Sequence, residues 1–210
     1  MPETSSHVFV NCPFDDAFQP FFEAIIFTIT ACGYQPRCAL EDEDGADIRL
    51  DKLCRIIGEC PRSVHDLSRT QTGDAGLPRF NMPFELGLTI GAKTYGGARR
   101  RNYTAAIMVK DPFKLPAYLS DLGGNDPRAH HDDVATVVKI VRNYLGKGPG
   151  GTRLPGPALL LKRLAEFQLA IPAMASEHGI RADELDAFDA FPDYAYFLSE
   201  YLKAAPIVPS

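Results

Sequence analysis

The chain has 210 residues, 45% of them hydrophobic and 23% charged, with a formal net charge of -5 and a pI of about 5.5. Such values suit a soluble globular protein of one domain with an appendage, or at most two small domains. The acidic balance argues against a grip on nucleic acid through a basic face, and no apolar run approaches the ~20 residues that span a bilayer.

The predicted elements alternate between two periods. "HVFVN" (7–11) is a short apolar run that fits a buried strand. Phe18, Phe21, Phe22, Ile25, Ile26, Ile29 and Cys32 then recur at three- and four-residue steps, one face of a helix that Gly33 ends. "YQPRCAL" (34–40) reads as a second strand, weakened by Pro36. "DIRLDKLCRIIGEC" (47–60) is a second helix with Leu53, Ile56, Ile57 and Cys60 inward, and "RSVHDLS" (62–68) a third strand. "MPFELGLTIGAK" (82–93) predicts a third helix, and "YTAAIMVK" (103–110) a fourth strand, the clearest of the set. A fourth helix covers "DDVATVVKIVRNYL" (132–145), with Val134, Val137, Val138, Val141 and Leu145 inward. Four alternations with short connections predict an α/β fold: a flavodoxin-like parallel sheet with helices on both faces. Ligands of such sheets bind at the loops leaving the carboxyl ends of the strands.

At Gly146 the composition shifts, which divides the chain into an α/β domain (1–146), a Gly/Pro-rich linker (147–157) and a helical C-terminal extension (158–210). Pro172 is expected to kink or split the first helix of the extension. Phe188, Phe191, Tyr194, Tyr196, Phe197 and Tyr201 make the tail too aromatic for a free solvated segment. It is expected to cap the sheet or a second copy of the chain, so a homo-oligomer is expected. The start "MPETSSHVFV" lacks the basic flank and apolar core of a signal peptide. The five cysteines are odd in number without C-x-x-C spacing, and Cys32, Cys54 and Cys60 fall on apolar helical positions. A reducing cytoplasm is the expected compartment.

Three segments are expected to converge. In "NCPFDD" (11–16), Pro13 makes a rigid turn and Asp15 can cap the next helix; the Pro13-Phe14 pair can also supply a flat apolar wall for a base. In "HDLSRT" (65–70), Asp66 ends an apolar strand, where a carboxylate is costly unless solvated or bonded. Ser68 there offers a hydroxyl and Arg69 a fork for phosphate, although Asp66 and Ser68 can equally satisfy loop N–H groups. In "RFNMPFELGL" (79–88), Asn81 is a suitable N-cap and Pro83 is tolerated in the first turn. Glu85 follows in the first turn or just after it, where the helix dipole favours its charge. Gly87 costs ~1 kcal/mol inside a helix and makes sense if something packs closely there. "GGNDPRAHH" holds Asp121, Asp126, His130 and His131, but adjacent histidines point two ways and chelate poorly, so no metal is expected. Asp132 and Asp133 read as N-terminal charges of the fourth helix.

"HDLS" and "FELGLTIGAK" resemble the superfamily that unites nucleoside 2-deoxyribosyltransferases with TIR domains, in which a strand ending in Asp precedes a helix bearing E-x-G. The resemblance covers roughly the first two thirds of the chain. It implies a flavodoxin-like sheet and places Glu85 at the family's nucleophile, or at the glutamate with which enzymatic TIR domains cleave NAD. It departs from the family's D-x-x-S-x-G, which "SRTQTGDAGLPRFN" (68–81) replaces. By whole length the chain looks like bacterial TIR-like proteins tied to nucleotide signalling or phage defence.

The expected chemistry follows from the N-glycosidic bond. Its cleavage builds positive charge on the ribose, which a carboxylate below C1′ stabilises or traps. Glu85 is the expected carboxylate and Asp66 the acid for a neutral purine; the pyridinium of NAD needs none. Arg69 or Arg79 is expected to hold a phosphate, Phe14 to stack on the base, and Asn11, Pro13, Asp15, Ser68 and Asn81 to line the site. NAD or a nucleotide is then substrate or ligand, with no resident cofactor. The rival expectation is a non-catalytic nucleotide-binding sensor or interaction module.

Overall fold

The structure, a computed structural model, describes residues 6–41, 44–70, 79–112 and 117–207. Residues 71–78 of the insert between "HDLS" and Glu85 lie outside that set, as do 208–210 of the tail. Five parallel strands form one sheet: β1 (His7–Asn11), β2 (Gln35–Arg37), β3 (Arg62–Asp66), β4 (Thr104–Val109) and β5 (Arg128–Ala129), in the order β2-β1-β3-β4-β5. With the six α-helices among the described residues this is an α/β, flavodoxin-like arrangement. β1 and β3 align Asn11 with His65, β3 and β4 align Asp66 with Met108, and β4 and β5 align Val109 with Ala129. Pro36 lies on β2 at the sheet edge, where a missing N–H costs no central ladder bond. β2 spans three residues rather than the seven expected, and β3 stops at Asp66, two short of expectation. The fifth strand, two residues long inside "GGNDPRAHH", was outside the sequence expectation.

The chain gathers into two compact units. One takes in Met1–Pro13, Pro36–Ala39 and Asp44–Asp133. It contains α2 (Arg49–Glu59), which buries Leu53, Ile56 and Ile57, and α3 (Asn81–Tyr95), which buries Met82, Glu85, Leu86 and Thr89. The α3 set steps by three and four, so it is one face of the helix. Met82 and Leu86 pack there with Leu67, Ile107, Val109 and Leu119. Cys54, expected on the apolar face of α2, is exposed instead. It follows Leu53 by one residue, about 100° around the helix, which turns it off the stripe of Leu53, Ile56 and Ile57.

The other unit takes in Phe14–Gln35, Leu40–Glu43 and Val134–Ser210. It contains α1 (Gln19–Ala31), α4 (Val134–Leu145), α5 (Pro157–Glu177) and α6 (Phe191–Ala204). Gly33 closes α1 at φ +82°, donating its N–H to Thr30 O while Tyr34 N reaches Ile29 O. α4 buries Val137, Val138, Val141 and Leu145. Arg142 of α4 donates to the carbonyls of Leu154 and Pro155, and Tyr34 Oη to that of Lys147, which ties down the Gly/Pro-rich stretch. α5 runs on through Pro172 without being split. Phe167 on α5 meets Phe27, Tyr194 and Tyr201 at ring distances of 6.1, 5.6 and 5.3 Å, so the tail aromatics build this unit's core. No helix among the described residues is long and apolar enough to cross a membrane.

The two faces of α3 make a direct test. Leu86 is fully packed, whereas Phe84 on the same helix is 52% exposed. Leu86→Ala is expected to cost about 2–5 kcal/mol in urea unfolding, and Phe84→Ala under about 1 kcal/mol. Equal losses would contradict the orientation of α3.

Candidate functional site

Sequence order reverses between β1 and β3, and the crevice at such a reversal is where open α/β sheets hold ligands. The last residue of β1, Asn11, is buried there. Its Nδ2 donates to Met82 O at 2.8 Å and to His65 Nδ1 at 2.9 Å. One amide thus joins the ends of β1 and β3 to the first turn of α3. The bond from Asn11 makes Nδ1 of His65 an acceptor, so Nε2 carries the ring proton. Burial pulls the imidazole down to about 3, and the ring stays neutral, edge-on to Phe9 at 5.9 Å. Among the described residues nothing accepts from its Nε2.

Glu85 sits one turn beyond this clamp. It is 5% exposed, on the buried face with Met82, Leu86 and Thr89. Burial pushes its carboxyl up to about 7, against a smaller opposing pull from Arg49 on α2. No described donor meets the carboxyl. The expectation of first-turn charge compensation is therefore corrected. α3 begins one residue earlier than expected because Phe84 N bonds to Phe80 O, which makes Phe80 the N-cap and Asn81 an exposed first-turn residue without a capping bond. Glu85 falls past the first turn, where desolvation outweighs the dipole. Gly87 is corrected too. It is exposed, and a Cβ there would meet nothing within 4 Å. Two residues along a helix turn it about 200° from Glu85, so it clears no space beside the carboxyl.

On the neighbouring strand Asp66 is fully buried. Its Oδ1 accepts from Ser68 N at 2.9 Å and from Ser68 Oγ. Its Oδ2 lies 3.2 Å from Nε2 of His130, also fully buried, though not aligned as a hydrogen bond. Asp132 N donates to Nδ1 of His130 at 3.1 Å. The Asp132 carboxyl is held below the usual range, chiefly by its bond from Lys110 and further by the charges of Lys110 and Arg69. Asp132 therefore answers Lys110 at the end of β4 rather than only opening α4. The carboxyl ends of β3, β4 and β5 thus carry Asp66, Ser68, Arg69, Lys110, His130 and Asp132 together.

The remaining expected residues are dispersed. Arg79 is exposed just before α3, Pro13 is buried after β1, and Arg69 and Ser68 are half-buried. Asp15 accepts from Phe18 N at 3.1 Å, the capping role open to it. Phe14 is packed edge-on against Phe22 and Phe188, at 5.8 and 5.6 Å, inside the second unit's aromatic core. Phe14 is half-buried by that packing. A cavity of about 390 Å³ in the second unit, bordered by Cys32, Leu154 and Leu202, contains none of the expected residues. Among the described residues no group of three metal-binding side chains occurs. His65 and His130 were missed. His65 stood in the quoted "HDLSRT" beside Asp66, but nothing local marks its bond to Asn11, 54 residues away. His130 was read as half of a poor chelate; it turns inward while His131 is exposed.

A raised folded-state pKa has a definite sign. Glu85 binds its proton more tightly when folded, so its contribution is complete below the unfolded value of about 4.5 and is lost as pH rises through about 7. Between pH 5 and 8 the parent is expected to lose on the order of 3 kcal/mol relative to Glu85→Gln. Urea unfolding at the two pH values reads this difference, and parallel stabilities would refute the burial of an ionisable Glu85.

No protein-family model matches the chain, and a search of curated proteins finds no match.

Proposed function

We propose that the chain acts on the N-glycosidic bond of a nucleotide or of NAD, as a hydrolase or transferase, with Glu85 at C1′ of the ribose. One observation carries this reading: a nearly buried carboxyl, moved to about 7, one turn beyond the clamp that closes the β1–β3 reversal. Bond cleavage builds positive charge at C1′, and a carboxylate in a dry setting stabilises or traps it strongly. Near neutral pH Glu85 is ionised in part. Its charged form serves the ribosyl cation, and a pyridinium leaving group needs no acid. Asp66 fits the role of acid for a purine less well than expected, because Ser68 donates twice to its Oδ1 and its Oδ2 is turned to the buried His130 ring. A place in bacterial nucleotide signalling or phage defence belongs to the same reading.

A second reading is a nucleotide-binding module without turnover. It is favoured by the commitment of Asn11 and Asp66 to partners inside the chain.

Purified protein incubated with NAD and a nucleoside panel is expected to release nicotinamide or free base. The kcat/KM should rise with pH through about 7 as Glu85 deprotonates, and Glu85→Gln should lower it by about 100-fold or more. Equal release by Glu85→Gln and the parent removes Glu85 from the mechanism. Tight nucleotide binding in calorimetry with no release supports the second reading.

A further inference from the structure

We propose that His130 is a positioning residue of this site and acts through Asp66; the proposal rests on the N-glycosidase reading above. The fully buried ring touches no solvent, so a ligand cannot reach it directly. Its tautomer is set by geometry. Asp132 N donates into Nδ1 at 3.1 Å, which leaves the ring proton on Nε2, and Nε2 lies 3.2 Å from Asp66 Oδ2.

The backbone that presents the ring is strained. His131 and Asp132 stand in succession at φ 55° and 53°, left-handed values that non-glycine residues adopt uncommonly. Surrounding bonds hold the turn. His130 N reaches Val109 O, His131 N reaches Lys110 O, Asp133 N reaches His130 O, and Asp132 pairs with Lys110. The fold thus keeps two unfavourable residues and lodges an imidazole against a carboxylate at the ligand-binding end of the sheet.

The consequence falls on Ser68. With Oδ2 against His130, Asp66 has Oδ1 for Ser68 alone, and it receives both the Ser68 N–H and the Ser68 hydroxyl proton. That hydroxyl then has only lone pairs left to offer, and Ser68 is half-buried at the loop surface. His130 fixes the plane of Asp66, Asp66 fixes the rotor of Ser68, and a bound ligand meets an oriented acceptor. The Nε2 to Oδ2 line lies off hydrogen-bond alignment, so at 3.2 Å the pair is a close polar contact between two buried groups.

Three substitutions separate this role from simple packing. His130→Gln places an amide donor near the Nε2 position, His130→Asn places one near Nδ1, and His130→Phe keeps the bulk of a ring with no donor. The kcat and KM for nicotinamide release are measured beside the melting temperature of each. His130→Gln is expected to stay within about 3-fold of the parent, while Asn and Phe lose roughly 10- to 100-fold in kcat, the scale of losing an outer partner. Asp66→Asn combined with His130→Phe should be no worse than the poorer single variant. The proposal is overturned if Gln falls as far as Phe, or if Phe retains the parent's kcat. A parent that releases nothing from any substrate defeats the glycosidase reading separately. In that event nitrogen-15 imidazole spectra of the unaltered protein still test the pair: an Nε2-protonated His130 upholds the arrangement, and an Nδ1-protonated ring overturns it.

Discussion

The amide of Asn11 is the constraint on which the site depends. A parallel sheet ends at its carboxyl edge in backbone that has run out of ladder partners, and buried polar groups there must be satisfied. Asn11 spends its two N–H groups on Met82 O and His65 Nδ1. The first bond holds the opening turn of α3 against the end of β1. The second sets the tautomer of His65 and closes β1 onto β3. With Met82 fixed, helical geometry dictates the rest, since Glu85 comes three residues later and must share its face. The burial of Glu85 is therefore a consequence of a bond made elsewhere.

Two carboxylates on neighbouring elements of this unit then meet opposite surroundings. Asp66 receives two donors from Ser68 and faces an imidazole N–H. Glu85 lies among Met82, Leu86 and Thr89 with no described donor, and burial moves it to about 7. Divided environments of this kind are how one site assigns different roles to chemically similar groups. Asp66 is equipped as a fixed acceptor, Glu85 as a group that exchanges its proton near neutrality.

Much of the fold was legible, because periodicity reports burial directly. The apolar runs in "HVFVN" and "YTAAIMVK" reflect strands buried on both faces over four successive residues, and the three-four steps from Phe18 to Ile29 reflect a helix packed inward. β5 was not legible, since two residues hold no period. Asn81 was misread as a cap because a suitable side chain does not prove that the helix waits for it; Phe80 had already turned helical. Gly87 was misread because a glycine's cost carries no direction, and its direction here is outward. Asp66 and Glu85 could be picked out as acids in apolar runs. Their partners could not, because Asn11 to His65 and Asp66 to His130 are contacts across strands, with no local signature.

The distribution of buried polar groups argues for function at this edge. Replacing a buried ion pair with well-packed apolar residues is often neutral or stabilising. A unit selected for stability alone would fill the ends of β1, β3 and β5 with residues like the Leu67, Met82 and Leu86 that pack nearby. It buries Asn11, His65, Asp66, Glu85 and His130 instead, and adds two left-handed non-glycine residues to hold the last. Each choice lowers stability or specificity of packing unless a partner offsets it, and His65 Nε2 has none among the described residues. Unpaired buried polar atoms also occur at Thr28, Arg163 and Tyr194 of the second unit, so what marks this edge is the set of buried titratable side chains held beside two left-handed residues.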